Sequence, residues 1–225
     1  VAVDILQAGG NAADAAIAGA ILLGICEPQM TGIGGDCFAL VKPAGSEQIL
    51  GLNGSGRAPA ALSADRLRAK GLTRMPIHGI DTVTLPGAID AFCTPARRVG
   101  PPAASRSSGP CHPLCRRSRC ADGAPRRAPI GPKMRTVLQG DARRFYLQDG
   151  QAPRIGQIFR APGQAEVLRR MARRRPRRVL RRRGGRKTWS PRLQALGGCH
   201  TAQDLAAVNP QLLYAIQFRP HITAS

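Results

Sequence analysis

Arg57 is the side chain most readily read as a chemical tool. It stands in Asn53-Gly54-Ser55-Gly56-Arg57-Ala58-Pro59, where the glycines and proline specify a tight loop. A guanidinium held by such a loop can grip a carboxylate through two parallel hydrogen bonds. The same residue also fits an ordinary surface arginine, and the loop alone does not separate the two readings. Two other constellations are weaker. Thr31-Gly32-Ile33-Gly34-Gly35-Asp36 has the glycines of a phosphate cradle, but an apolar helical run precedes it and a β-type run follows, the reverse of what a cradle needs. It reads as a turn for close backbone packing. Cys111, His112, Cys115 and Cys120 match no common zinc spacing and have no second ligand pair nearby, so no metal is expected. No Ser/His/Asp set, Cys/His pair or paired-carboxylate motif stands out, and no cofactor is implied.

The elements that must position Arg57 are legible over residues 1–93. Val1–Ala8 reads as a helix end stopped by Gly9-Gly10. Asn11 caps a second helix, Ala12–Cys26, with Asp14 in its first turn. That helix is apolar nearly all round, so it is expected between other layers. Its apolar run, Ala15–Cys26, is 12 residues long, short of the ~20 that cross a bilayer. Cys37–Lys42 and Gln48–Leu52 read as a β-hairpin, and Ser63 as the cap of a helix running to Lys70 before Gly71. Asp81–Leu85 is a strand candidate, and Pro86-Gly87 opens a helix through Cys93.

Beyond residue 93 the chain alternates in character. Residues 94–134 form a Pro/Arg-rich island with eight Arg and eight Pro; residues 169–192 form a second with twelve Arg and no acid. Together they hold the whole excess of 34 basic over 13 acidic side chains, a net charge of +21. The rest of the chain is neutral, which argues against a basic nucleic-acid-binding protein built around one binding face; the islands also lack interleaved aromatics. Both islands are expected to be disordered. Residues 135–168 recover globular character, with a strand-like Phe145-Tyr146-Leu147, a turn at Asp149-Gly150 and a helix from Pro162 to Met171. In 193–225, Leu193–Asn209 is ordered, with a helix capped by Thr201, and Gln211–Ser225 shows no pattern. The chain opens at Val1 without Met, which reads as a missing start.

Several ordered segments resemble the γ-glutamyltransferase (γ-glutamyltranspeptidase) family. They are Ile5–Ala16, Glu27–Gly35 with Phe38, Arg57-Ala58-Pro59-Ala60 and Val83–Ala88. Gly150–Ala165 and Gly197-Gly198 with Thr201–Ala206 continue the resemblance. It implies an α+β fold, a partial αββα sandwich of the N-terminal nucleophile hydrolase type. It also implies a precursor that cleaves itself, freeing a Thr that is nucleophile and, through its own amine, base. That Thr attacks a γ-glutamyl amide of a glutathione-type substrate, and the acyl group passes to water or an amino acid. In the family the Thr opens a Thr-Thr-His-type segment; none occurs in these 225 residues. The expectation is therefore a large-subunit portion with no catalytic residue of its own, inactive alone, whose partner is a small subunit carrying the Thr. Members bind the donor carboxylate through an Arg a few residues before the Ala-Pro. Aligned on Ala58-Pro59, that position falls at Ser55 or Gly56, with Arg57 slightly displaced, so Arg57 and Ser55 are the expected substrate-binding residues. The Asn-Gly-Ser-Gly-Arg form resembles a divergent branch that includes acylase-like members.

The same resemblance makes the islands read as out-of-frame translations that replace family segments. For Arg177–Arg181 the synonymous codons CGC CGG GTT CTA CGG, read from the second nucleotide, would give Ala-Gly-Phe-Tyr, and the resemblance implies Gly-Phe-Tyr at this distance before the family's Gly-Gly…Asp-Leu segment.

Overall fold

The computed structural model describes residues 1–28, 30–94, 124–125, 138, 140–147, 149–152, 158–173 and 183–214. Most of the first island, the Cys111–Cys120 group and the centre of the second island lie outside them.

The first two helices follow from their caps. Helix α1 (Ala2–Gln7) ends at Ala8, and Gly9 turns the chain at a φ of +83°. Helix α2 (Ala12–Cys26) begins with a reciprocal capping box: Asn11 Oδ1 accepts from the Asp14 amide, and Asp14 Oδ2 accepts from the Asn11 amide. Such a cap is worth about 1 kcal/mol. Ala15, Ile17, Ala18, Ile21 and Ile25 are buried, whereas Leu23 is 47% exposed. One stripe of α2 therefore faces the core, and the expected burial on all sides is not reached among the described residues. At Gly24 a Cβ would come within 3.1 Å of the Gly32 Cα, so α2 and the following turn pack backbone to backbone.

The hairpin forms with shifted bounds. Strand β1 (Cys37–Val41) pairs antiparallel with β2 (Leu50–Gly54), Ala39 opposite Leu52. Period-two alternation puts Cys37, Ala39, Leu52 and Gly54 on one face and Phe38 and Leu40 on the other. Helix α4 (Ala88–Phe92) covers the first face. Its Ala88, Ile89 and Phe92 share a core with Ile5, Ile17, Ile21 and Leu168. The second face is open: Phe38 is 67% and Leu40 77% exposed.

Strand β5 (Gln211–Tyr214) joins the sheet beside β2, Leu52 opposite Leu212, giving the order β1-β2-β5. This corrects the unpatterned reading of the C-terminal stretch. A four-residue strand has too few alternations to announce itself, and its ladder partner lies some 160 residues away.

Helix α3 (Ala64–Arg68) starts at Ser63, whose Oγ accepts from the Arg66 amide. Asp81–Leu85 is not a strand. Residues Ile80–Thr82 form a 3₁₀ turn in which the Thr82 hydroxyl donates to the Gly79 carbonyl, and Asp81 pairs with Lys70 at 2.6 Å. The local side-chain bond and the ion pair take the chain out of ladder geometry.

Later elements are helical. Helix α5 (Gly140–Tyr146) contains Phe145 and Tyr146, so the strand-like reading of 145–147 is wrong. The Leu147 amide continues the helical pattern to the Arg143 carbonyl, and Phe145 and Tyr146 meet edge to face at 4.9 Å. Asp149 and Gly150 form the expected turn, both at positive φ. Two-residue strands β3 (Ala124–Pro125) and β4 (Ile158–Phe159) pair antiparallel. Helix α6 (Pro162–Arg173) follows, then α7 (Arg183–Ala195) and α8 (Ala202–Ala207). The described ends of the second island, 169–173 and 183–192, are helical. An anchor explains the second of them. Trp189 packs on the Leu85, Leu205 and Val208 cluster, and burial there offsets the ordering entropy that charge repulsion raises. No helix among the described residues is long and apolar enough to cross a membrane.

Candidate functional site

Three loops meet around Arg57. The first runs from α2 to β1 and contains Thr31–Asp36. The second leaves β2 and contains Ser55–Ala60. The third leads into α4 and contains Val83–Gly87. Backbone polarity ties them together: the Leu85 amide donates to the Arg57 carbonyl at 2.9 Å, and the Gly87 and Ala88 amides donate to the Gly35 carbonyl at 3.1 and 2.8 Å. The Gly56 amide donates to Asp36 Oδ1 at 2.6 Å. Asn53 Oδ1 accepts from the Ser55 amide at 3.0 Å, an Asx turn that folds the loop off the end of β2.

The glycines of this junction are dictated by space. A Cβ on Gly56 would collide with the Leu85 carbonyl, one on Gly87 with the Gly54 carbonyl, and one on Gly54 with Ala91 Cβ. Backbone therefore packs on backbone, and the loop is rigid although it lies at the surface.

Arg57 and Ser55, the two residues expected to bind substrate, are two positions apart on this loop, and both are exposed. Arg57 has its carbonyl committed to Leu85, while its guanidinium makes no ion pair or hydrogen bond among the described residues. A charged fork and a neighbouring hydroxyl on a pinned backbone can take up a carboxylate with little ordering cost. The Thr31–Asp36 segment lies after a helix and before a strand; the Gly35 amide closes a turn onto the Gly32 carbonyl, and the Gly35 carbonyl accepts from Gly87 and Ala88 in the loop junction. Among the described residues no group of three or more His, Cys, Asp or Glu is placed to hold a metal.

Sequence reasoning missed Asp36, His200 and Asp204. Asp36 directly follows the glycines, which is a signal that could have been used. Asp204 closes the capping box of α8 with Thr201, and its Oδ1 also accepts from the Ala60 amide at 3.1 Å. Burial opposes its charge. Hydrogen bonds from the Ala60 amide and from the Thr201 hydroxyl and amide, with nearby His200, outweigh that, so its carboxyl sits below the usual range. His200 is buried, with Nε2 at 2.7 Å from the Val83 carbonyl and the ring edge to face with Trp189 at 5.3 Å. Because a carbonyl only accepts, Nε2 carries the proton.

A depressed carboxyl pKa contributes stability that is complete above the unfolded value of about 3.9 and is lost as pH falls through the folded value. The contribution of Asp204 to the urea midpoint is therefore expected to hold from pH 7 to about 5 and to decline below about 4. The gap between the native chain and Asp204→Asn should close over the same acid range; a gap that stays constant from pH 7 to 3 would show that Asp204 has no depressed pKa.

Comparison with known proteins places this architecture. The family pattern described as gamma-glutamyltranspeptidase matches residues 1–219. The glutathione hydrolase-like YwrD proenzyme of Bacillus subtilis is 38% identical over 97 residues, 43% of this chain and 18% of that protein. Glutathione hydrolase proenzyme 1 of Schizosaccharomyces pombe is 30% identical over 183 residues, 76% of this chain and 27% of that protein. The match thus spans less than a third of either relative. Among solved structures, the Helicobacter pylori gamma-glutamyltranspeptidase superposes with a TM-score of 0.79 at 18% identity, covering 94% of this chain and 61% of that one. A cephalosporin acylase from Bacillus halodurans gives a TM-score of 0.73 at 32% identity, covering 97% of this chain and 41% of that one.

Proposed function

The chain belongs to the gamma-glutamyltranspeptidase family, and from that premise we propose that its 225 residues supply the donor-carboxylate side of an acyl-transfer site. The reaction is transfer of a γ-glutamyl group from an amide to water or an amine. The observation that carries the reading is Arg57: an exposed guanidinium, beside Ser55, on a loop pinned to Asp36 and Leu85. In this reading Arg57 takes the α-carboxylate of the donor through its fork and Ser55 adds a hydroxyl bond.

The nucleophile comes from outside these residues. No Thr-Thr-His-type segment occurs within them, so the chain binds donor without cleaving it. A partner segment that carries the Thr covers the open sheet face at Phe38 and Leu40, which are 67% and 77% exposed. Isolated, that face leaves apolar surface in water.

A second reading concerns the donor. The 32% identity with a cephalosporin acylase, with the Asn53-Gly54-Ser55-Gly56-Arg57 form of the loop, supports a donor other than glutathione, beside the 38% identity with a glutathione hydrolase-like protein that supports the first reading. Such a donor is a carboxylate-bearing acyl amide read by the same Arg57.

Titration calorimetry with L-glutamate and with glutarate tests both readings. Arg57→Ala is expected to weaken binding of either at least tenfold, the range of a lost charge-assisted bond. Preference for L-glutamate supports the γ-glutamyl donor, and preference for glutarate the acylase-like one. Equal affinity in the native chain and Arg57→Ala would end the assignment of Arg57.

A further inference from the structure

The Arg57 loop is held from behind by a segment more than 140 residues away. Starting at Arg57, the bonds run from its carbonyl to the Leu85 amide at 2.9 Å, and along the chain to Val83. They cross from the Val83 carbonyl to His200 Nε2 at 2.7 Å. Asp204 Oδ2 then accepts from the Thr201 amide and hydroxyl, both at 2.7 Å. Asp204 Oδ1 closes the circuit by accepting from the Ala60 amide at 3.1 Å, three residues beyond Arg57. The circuit is packed: Leu205 and His200 are fully buried, Leu85 is 4% exposed, and Trp189 packs against both His200 and the Leu85 cluster. The Gln194 side-chain amide holds the His200 carbonyl at 2.8 Å, which fixes the turn that delivers the ring.

Asp204 has a dual position in this ring. One carboxylate oxygen serves its own helix; the other reaches out to the substrate-side loop. An ordinary capping residue needs only the first. We propose that Asp204, assisted by His200, is a positioning residue that braces the Arg57 loop and so sets its affinity for the donor carboxylate. The proposal rests on the reading of Arg57 as that anchor. Asp204 touches no substrate; it acts by keeping Arg57 and Ser55 preorganised.

The test separates bracing from capping in the 225-residue chain, with Ala60 amide hydrogen exchange and L-glutamate titration as readouts. Asp204→Ala removes both bonds. Thr201→Ala removes the hydroxyl side of the cap and leaves the Ala60 bond. Asp204→Asn keeps an oxygen for Ala60. Asp204→Ser, whose short hydroxyl does not reach Ala60 yet suits a first helical turn, covers the case in which Asp204→Ala fails to fold. Asp204→Ala and Asp204→Ser are expected to speed Ala60 exchange about tenfold or more and to weaken L-glutamate binding about tenfold. Asp204→Asn and Thr201→Ala are expected to stay within about threefold of the native chain in both. Equal acceleration by Thr201→Ala and Asp204→Ala, or none by Asp204→Ala, overturns the brace. Failure of L-glutamate to bind the native chain sinks the Arg57 anchor instead, while the exchange pattern alone decides the brace.

Discussion

Incubated with L-γ-glutamyl-p-nitroanilide, the 225-residue chain is expected to release p-nitroaniline no faster than buffer. Amide cleavage by this family's chemistry needs an attacking hydroxyl, a base beside it, and donors for the oxyanion. Around Arg57 the Gly56, Leu85, Gly87 and Ala88 amides are already spent on Asp36, Arg57 and Gly35, so these four are not free to serve an oxyanion. In the proposed reading the Arg57 guanidinium and the Ser55 hydroxyl recognise a carboxylate remote from the scissile bond. Losing a nucleophile costs on the order of 10⁶ in turnover, which places the chain at background. Binding without turnover is the signature to look for, in stopped assays alongside L-glutamate titration. Release of p-nitroaniline that disappears with Arg57→Ala would show that the chain carries its own nucleophile and would overturn the reading.

The second large effect is structural. Gly56→Ala and Gly87→Ala are each expected to cost ~3 kcal/mol or more, or to prevent soluble expression. The added methyl would meet the Leu85 carbonyl in the first case and the Gly54 carbonyl in the second. Those neighbours are backbone and cannot swing aside as a side-chain end would. Relief requires separating loops that the Leu85–Arg57 and Gly87–Gly35 bonds hold together. Gly19→Ala is the contrast: it lies inside α2 with open space where the Cβ would go, and it should stabilise by about 0.5–1 kcal/mol through helix propensity. Urea midpoints of the three variants check the ordering. A native-like midpoint for Gly56→Ala would mean that the three loops are not packed as described.

Much of what positions the site is written locally. Asn11 with Asp14, Ser63 with the Arg66 amide, and Thr201 with Asp204 each cap a helix through atoms three residues apart, so side-chain chemistry alone marks where those helices begin. The β1–β2 hairpin is equally local, since its strands are joined by one turn. Where a stretch carried mixed signals, neighbours in space decided. Thr82 and Val83 favour a strand by side-chain type, yet the Lys70–Asp81 pair and the Thr82–Gly79 bond hold a 3₁₀ turn instead. Trp189 gives a basic stretch a place in a core, which its charge pattern does not foreshadow.

By itself, then, the order of residues determined helices α1 to α4, α6 and α8 and the hairpin, the family resemblance, and the nomination of Arg57 and Ser55, because each depends on groups within a few positions or on ordered motifs. Only the tertiary structure decided that β5 completes the sheet, that Asp36 and Leu85 pin the Arg57 loop, and that Asp204 reaches Ala60 across 144 residues. Those bonds leave no local signature, because a carboxylate that caps its own helix looks the same in sequence whether or not its second oxygen has found a partner elsewhere in the fold.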